Sequence, residues 1–231
     1  MIKPVQMREC VYCGNNQELT RDHVPPKGIF SEPRPSDLIT VPACPQCHNA
    51  ETSRDDEYFR LHLQVRDGIC EHPDVIKARP TLLRSLEKPG KAGMRKGLLE
   101  NIVFAEAVTP SGIFIKNQLA IQTNTDRLRR VVSRTMKGLF YYYKQHRLPD
   151  GYDALVFDEE NVQKWPANVL GPFNESVIQP LLAQPAAMLG NGVFSCRFGF
   201  NTADQDTTYW IFVFYGQAGF LGLTQPSADN V

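Results

Sequence analysis

The chain has 231 residues, of which 42% are hydrophobic and 22% are charged, proportions typical of an ordinary soluble globular protein. Its 25 lysines and arginines balance its 25 aspartates and glutamates, so no overall charge attracts a polyanionic partner, although a local basic surface can still bind nucleic acid. No apolar run approaches the roughly 18 residues of a membrane span, and the N-terminal residues lack the apolar stretch of a signal peptide. These features predict a cytoplasmic protein without a membrane partner.

Two Cys-x-x-Cys pairs near the N-terminus predict a structural zinc site. Cys10 and Cys13 form the first pair, and Cys44 and Cys47 form the second. In a reducing compartment, paired cysteines of this spacing are more often metal ligands than disulfides, and four thiolates complete the tetrahedral shell of Zn²⁺. Sites with four cysteines are usually structural, so we expect the zinc to hold the chain together without taking part in chemistry.

The 30-residue segment between the two pairs carries a second group of polar residues. Asp22 and His23 lie at the end of a predicted strand, because the two prolines that follow cannot donate to a ladder. His48 and Asn49 directly follow the last cysteine, so one zinc bound to both pairs would bring the two dipeptides together. A divalent cation on Asp22 and either His48 or Asn49, with His23 taking a proton from water, would suit phosphodiester hydrolysis. The alternatives are surface polar pairing of Asp22 with His23, and a zinc-binding or backbone-bonding role for His48.

The composition divides the chain into three regions. Residues 1–68 carry the cysteine pairs and then a helical segment, with Ser53 as the expected N-cap and Gly68 as the expected stop. Residues 69–97 are basic and rich in Pro and Gly, which predicts a linker. Residues 98–231 alternate strand and helix signals and predict an α+β domain, for which target recognition is one interpretation.

Within the third region, the strongest helical pattern runs from Thr125 to Pro149, with Asp126 near its start. A hairpin is expected before it, with its turn at Lys116–Asn117. Strands are predicted at residues 101–108, 112–118, 119–124, 153–158, 192–201, 207–216 and 220–225, the last three as an antiparallel meander, and a short helix is predicted at residues 158–165.

Two segments carry a local excess of positive charge. Residues 77–97 hold seven Lys and Arg against one Glu, and residues 126–147 hold seven against one Asp, so each has a net charge of +6. Phosphate contacts supply most of the sequence-independent affinity for DNA, which makes both segments candidate nucleic-acid surfaces. The alternatives are a solvated linker and the solvated face of a helix. The candidate residues are Lys91, Arg95 and Lys96 in the first segment, and Arg127, Arg130 and Arg134, which form one stripe of a helix, in the second.

Residues 10 to about 60 resemble the HNH endonuclease family in its four-cysteine form, which has the ββα-metal fold. The resemblance is carried by the two cysteine pairs, by Asp22-His23 with a nearby proline, by Asp37-Leu38, and by the His48-Asn49 that follows the last cysteine. It implies that His23 is the general base, that Asp22 binds a catalytic Mg²⁺ or Mn²⁺, and that His48 or Asn49 is the second ligand. Asp37 stands where the family has an Asn, at a longer spacing from the second cysteine pair.

The predicted fold class is α+β, with an N-terminal zinc-stapled ββα-metal module followed by a mixed sheet-and-helix domain. The predicted function is a metal-dependent endonuclease that acts on DNA and uses a structural Zn²⁺ together with a catalytic Mg²⁺ or Mn²⁺. Two alternatives stay open: a non-catalytic zinc module that binds nucleic acid or protein, and a nuclease directed at RNA. The oligomeric state, a homodimer included, is also left open.

Overall fold

The N-terminal part of the chain folds as two short strands followed by a helix. The computed structural model describes residues 9–108, 112–158 and 171–227. Strand β1 (Thr20–His23) pairs in antiparallel fashion with β2 (Thr40–Ala43), and helix α1 (Ala50–Gln64) begins shortly after the second cysteine pair. This order of elements confirms the ββα fold predicted for this part of the chain.

Helix α1 begins earlier than expected, because Asn49 rather than Ser53 is its N-cap. The side-chain oxygen of Asn49 accepts hydrogen bonds from the backbone N–H groups of Glu51 (2.8 Å) and Thr52 (3.1 Å). The Thr52 hydroxyl oxygen in turn accepts from the backbone N–H of Asn49 at 3.0 Å. Such reciprocal capping satisfies N–H groups that a helix start leaves without partners. Ser53 consequently lies inside the first turn.

Most of residues 69–97, the predicted linker, belong to two helices. Helix α2 (Pro73–Leu86) starts with a proline at its first position, where proline is tolerated, and the His72 side chain accepts a hydrogen bond from the backbone N–H of its first turn. Its residues Val75 and Leu82 are buried. Helix α3 (Ala92–Glu100) follows. In this segment, proline and glycine therefore lie at helix ends and on exposed helix faces.

A two-stranded hairpin, β3 (Ile102–Val108) with β4 (Phe114–Ile121), follows the helices. The predicted turn at Lys116–Asn117 is wrong, since both residues lie inside β4. Asn117 has a positive φ of 55°, and the pairing register shifts between Ala105 and Ala107. An irregularity of this kind is a β-bulge, whose extra residue gives a turn-like signal within a strand.

A five-stranded antiparallel sheet forms the C-terminal part. Its strand order is β5-β9-β8-β7-β6, so the predicted meander of the last three strands is confirmed and extended at both edges. Strand β6 and helix α5 (Glu175–Ala183) were not predicted. The helix predicted at residues 158–165 lies outside the described residues, apart from its first residue. The strands are β5 (Tyr152–Asp158), β6 (Ala187–Leu189), β7 (Phe194–Phe200), β8 (Thr208–Phe214) and β9 (Ala218–Pro226).

Helix α4 (Thr125–Lys144) joins the N-terminal part to this sheet through one hydrophobic core. Its apolar face is buried, as its helical periodicity predicts. Because the core is shared, the predicted boundary at residue 68 does not separate two cores. None of the described helices is long and apolar enough to cross a membrane. Core members include Val24, Val41 and Phe59 from the N-terminal part, Val131, Met136 and Phe140 from α4, and Trp210, Phe212 and Phe220 from the sheet.

Gly138 allows α4 to approach the segment that follows β1. A Cβ added at this position would collide with the side chain of Val24, which directly follows His23. We expect Gly138→Ala to lower the free energy of unfolding by up to about 2 kcal/mol, because overpacking costs about 1–3 kcal/mol and helix propensity offsets only about 1 kcal/mol of it. Urea denaturation measures this change. The matched control is Gly93→Ala in α3, where an added Cβ meets nothing within 4 Å and equal or higher stability is expected. Equal stability of the two variants would contradict the close packing.

Candidate functional site

The four cysteines of the two pairs form one compact cluster. Their sulfur atoms all lie within 4.8 Å of one another, and the sulfurs of Cys13 and Cys44 are 3.5 Å apart. A tetrahedral zinc with Zn–S bonds of about 2.3 Å places its sulfurs about 3.8 Å apart, so the cluster fits a structural zinc ion. Each pair sits in a tight turn, in which the backbone N–H of Gly14 donates to the Cys10 carbonyl (2.8 Å) and that of Cys47 to the Cys44 carbonyl (3.1 Å).

The cysteine cluster also brings the N-terminal turn against β1 and β2. The backbone N–H of Val11 donates to the Pro42 carbonyl at 3.0 Å, and the next residue, Tyr12, reaches the side chain of Asp22. Because His48 directly follows the last cysteine, the same cluster also fixes the backbone position of His48. The cysteines therefore position residues from three separate segments around Asp22.

The two carboxylate oxygens of Asp22 have different partners. Asp22 lies on β1 and is only 4% exposed. Its Oδ2 accepts a hydrogen bond from the Tyr12 hydroxyl at 2.8 Å and lies 3.4 Å from Nε of Arg134. Burial, and then the nearby Asp22 carboxylate, hold the pKa of Tyr12 well above its usual value, so the hydroxyl stays protonated and donates. The other oxygen, Oδ1, faces His48, whose Nε2 is 3.8 Å away.

The hydrogen bonds of Thr20 indicate which nitrogen of His48 carries a proton. The Thr20 hydroxyl donates its single hydrogen to the carbonyl of Ala43 at 3.1 Å. It can therefore only accept at its 3.5 Å contact with Nδ1 of His48, which assigns the proton of the neutral imidazole to Nδ1. The lone pair of Nε2 is then directed to the side of Asp22, as a metal ligand requires.

A divalent cation fits between Asp22 and His48. Two ligand atoms that are each about 2.1 Å from one ion can be separated by up to about 4.2 Å. The observed 3.8 Å between Oδ1 of Asp22 and Nε2 of His48 lies inside this span. The side chain of Asn49, the other candidate ligand, is used by the α1 cap, and its Nδ2 donates to the Gln46 carbonyl at 2.7 Å. His48 is therefore the better candidate.

His23, the candidate base, is partly buried at the end of β1 opposite Thr40. Burial and then the charge of Lys27 lower the pKa of His23 below its ordinary 6.5, while the carboxylate of Asp22 opposes this shift. The neutral imidazole that a proton acceptor needs is thus favoured near pH 7.

Asp37 lies in the turn before β2 with an exposed side chain, whereas Asp22 is buried.

Two further residues lie next to Asp22: Arg134, which was predicted only as a DNA contact, and Asp56, which was not predicted as a site residue. Arg134 of α4 approaches Asp22 with Nε, and its Nη2 donates to Oδ1 of Asp56 on α1 at 2.5 Å. Burial raises the pKa of Asp56 to about 6, although the charge of Arg134 lowers it. The signal that could have found them is the acidic run at residues 55–57, which complements the arginine stripe of α4 in charge.

The arginine stripe of α4 faces α1 instead of forming a free basic surface. Nε of Arg127 and Nε of Arg130 bind the two oxygens of Asp55 at 2.6 Å and 2.8 Å. The side chain of Arg134 is only 11% exposed. Asp55 and Asp56 of α1 pair with the three arginines, so ion pairs within the chain occupy much of this stripe, and its contact with DNA stays a prediction. Arg130 alone keeps a largely exposed side chain, at 55%.

The basic residues of α3 and of the segment before it have different surroundings. Lys91 pairs with Glu57 of α1, so its charge is neutralised. Arg95 donates to the Leu86 carbonyl at 3.0 Å, and Lys96 lies 3.6 Å from Glu100. Arg95 and Lys96 are both exposed on the surface. These two residues keep the accessibility that a phosphate contact requires, whereas Lys91 contributes to the packing of α1.

A cleft of about 660 Å³ opens beside the site, between the start of α1, helix α4 and strand β5. Arg130, Arg134 and Lys137 of α4 line it, as do the acidic Asp55 and Asp126. Tyr12 and Arg134 also contact Asp22, so the cleft adjoins the surroundings of this carboxylate.

A ββα unit with four clustered cysteines, Asp-His at the end of its first strand and a His before its helix is the arrangement expected of a nuclease module that can hold a structural zinc ion. Residues 10–54 match the family model described as HNH endonuclease, so the chain contains an HNH endonuclease domain there, as the resemblance predicted. The match spans well under half of the chain. The family as a whole implies a nucleic-acid substrate. No curated protein and no solved structure matches the chain.

Proposed function

We propose that the protein is a metal-dependent endonuclease that hydrolyses phosphodiester bonds in DNA. The observation that carries this proposal is the approach of Oδ1 of Asp22 to Nε2 of His48, at 3.8 Å, on the strand whose next residue is His23. The matched HNH domain supports a nuclease as the class of enzyme. The cleft is lined by Tyr12 and Arg134, which both contact Asp22, and this supports a long substrate that is reached from solvent.

Each side chain has a separate task in the proposed reaction. Asp22 and His48 would hold a divalent cation, Mg²⁺ or Mn²⁺, which when bound supplies positive charge to the phosphate and to the leaving oxygen. His23 takes a proton from the water that attacks phosphorus. The Tyr12 hydroxyl keeps Oδ2 of Asp22 in place, so that Oδ1 stays directed at His48. The zinc cluster supplies no chemistry and fixes the separation of β1 from His48.

Positively charged side chains around the cleft support DNA as the substrate. Arg130 and Lys137 line the cleft, and Arg95 and Lys96 are exposed elsewhere, on α3. Contacts of this kind bind phosphates without reading the sequence. RNA has the same phosphates and remains the alternative substrate, so the two must be compared directly.

A non-catalytic zinc module is the second candidate function. It is favoured by the ion pair between Asp22 and Arg134, which uses part of the carboxylate that a catalytic cation needs. It is also favoured by Asp37, which replaces the Asn of the family pattern. This candidate predicts binding of nucleic acid without hydrolysis.

Plasmid cleavage separates these functions. We expect the zinc-loaded protein to convert supercoiled plasmid into nicked or linear DNA when Mg²⁺ or Mn²⁺ is added, and to leave it intact when neither ion is present. Gel electrophoresis measures the conversion, and a single-stranded RNA and a single-stranded DNA of equal length are compared in parallel. Retention of DNA without cleavage in either ion would favour the non-catalytic module. Faster cleavage of RNA than of DNA would assign the site to RNA.

A further inference from the structure

Arg134 connects the HNH domain to a helix outside the matched residues. Its guanidinium contacts two carboxylates at once, with Nε 3.4 Å from Oδ2 of Asp22 and Nη2 2.5 Å from Oδ1 of Asp56. The arginine lies on α4, whereas the family match ends at residue 54. A cation from the C-terminal part of the chain is therefore placed directly beside a candidate metal ligand.

We propose that Arg134 is a positioning residue that acts as an internal counter-cation and lowers the affinity of the site for its divalent cation. The proposal rests on the metal site proposed above for Asp22 and His48. In the metal-free protein, Arg134 compensates the charges of Asp22 and Asp56, which would otherwise repel each other in a poorly hydrated place. When the divalent cation binds Oδ1 of Asp22, it does so against the repulsion of the guanidinium on the other side of the same carboxylate.

The other contacts of Asp22 hold its carboxylate in place, so the effect of Arg134 on the site is expected to come from its charge. The Tyr12 hydroxyl already fixes Oδ2 of Asp22, and the backbone of β1 is paired with β2 on both sides of this residue. Removal of the guanidinium should therefore leave Oδ1 directed at His48. What changes is the local charge, because the positive charge beside Oδ2 of Asp22 is then absent when the divalent cation binds Oδ1. We expect the cation to bind more tightly as a result.

Contact with a DNA phosphate explains the position of Arg134 less well than the role of counter-cation does. Its side chain is only 11% exposed, and both Nε and Nη2 are directed at carboxylates of its own chain. The neighbouring Arg130 shows the contrast, with a side chain that is 55% exposed and lines the cleft.

Binding of Mn²⁺ to the zinc-loaded protein without DNA tests the proposal independently of cleavage. Free Mn²⁺ is measured by its electron paramagnetic resonance signal during titration. We expect R134Q to bind Mn²⁺ about tenfold more tightly, as the loss of one nearby charge implies. R134K keeps the charge and should bind like the unchanged protein. The matched control is R129Q on the same helix, which breaks a 2.8 Å ion pair with the buried Asp158 and should leave the affinity unchanged.

The outcomes distinguish this proposal from the metal site on which it rests. Mn²⁺ binding that survives D22N contradicts the proposed site itself. Binding that is lost in D22N, but unchanged or weaker in R134Q, contradicts only the role of Arg134. Binding in R134K that is as tight as in R134Q shows that charge is not the cause and also overturns it. If R134Q does not fold, D56N decides: weaker binding supports the proposal, and unchanged or tighter binding overturns it.

Discussion

Replacement of His23 by alanine is expected to lower the rate of DNA cleavage by a factor of about 10²–10⁴, the usual contribution of a general base. The zinc content, the melting temperature and the affinity for Mn²⁺ should change little. His23 lies at the open end of β1, and neither the cysteine cluster nor the pair formed by Asp22 and His48 includes it. Plasmid cleavage under single-turnover conditions measures the chemical step apart from product release.

The control for this variant is His146→Ala. His146 is about half exposed and lies 3.3 Å from Asp206, on the C-terminal part of the chain. We expect full cleavage activity in this variant. Addition of free imidazole should restore part of the activity of His23→Ala and none of it in an Asp22→Asn variant, because imidazole can replace a base but not a carboxylate ligand. Unchanged cleavage by His23→Ala would remove His23 from the mechanism.

The zinc cluster and the ββα order were predictable because their signals are local. Two Cys-x-x-Cys pairs specify a tetrahedral site whatever the rest of the chain does. The choice between His48 and Asn49 was open at the level of residue type, since both carry suitable ligand atoms. The structure favours His48 because Asn49 is needed at the start of α1. Asn49 followed three residues later by Thr52 is itself a helix-start signal, and it precedes the one at Ser53.

The arginines of α4 show the opposite case. Their helical spacing was predictable, but the side chains that pair with them were not. The spacing of Arg127, Arg130 and Arg134 correctly indicates one stripe of a helix. A stripe of charged residues does not reveal which side chains pair with it. Here the partners are Asp55 and Asp56 of α1, which lie more than 70 residues away in the sequence. Contacts of such long range depend on how the helices pack. The composition of each helix alone therefore could not identify Arg134 as a neighbour of Asp22.

Removal of the second cysteine pair, as Cys44→Ser/Cys47→Ser, is expected to have the largest effect on stability. Two remaining thiolates cannot form a closed tetrahedral site, and structural zinc contributes about 10–16 kcal/mol of apparent binding free energy in small zinc-dependent folds. We expect loss of stoichiometric zinc, measured by plasma mass spectrometry, and loss of DNA cleavage. The control is Cys70→Ser, which lies outside the cluster and should retain both.

The shared core determines how this loss should appear in thermal unfolding. Val24, Val41 and Phe59 of the zinc-containing part belong to the same core as Phe212 and its neighbours in the C-terminal sheet. If the zinc stabilises this common core, its loss should shift the main unfolding transition to lower temperature, by circular dichroism, instead of removing a small separate transition. An unchanged main transition in the zinc-free double variant would show that the C-terminal part is stable by itself. A double variant that keeps one zinc per chain would show that the ion is bound elsewhere, because the four sulfurs would then no longer be its ligands.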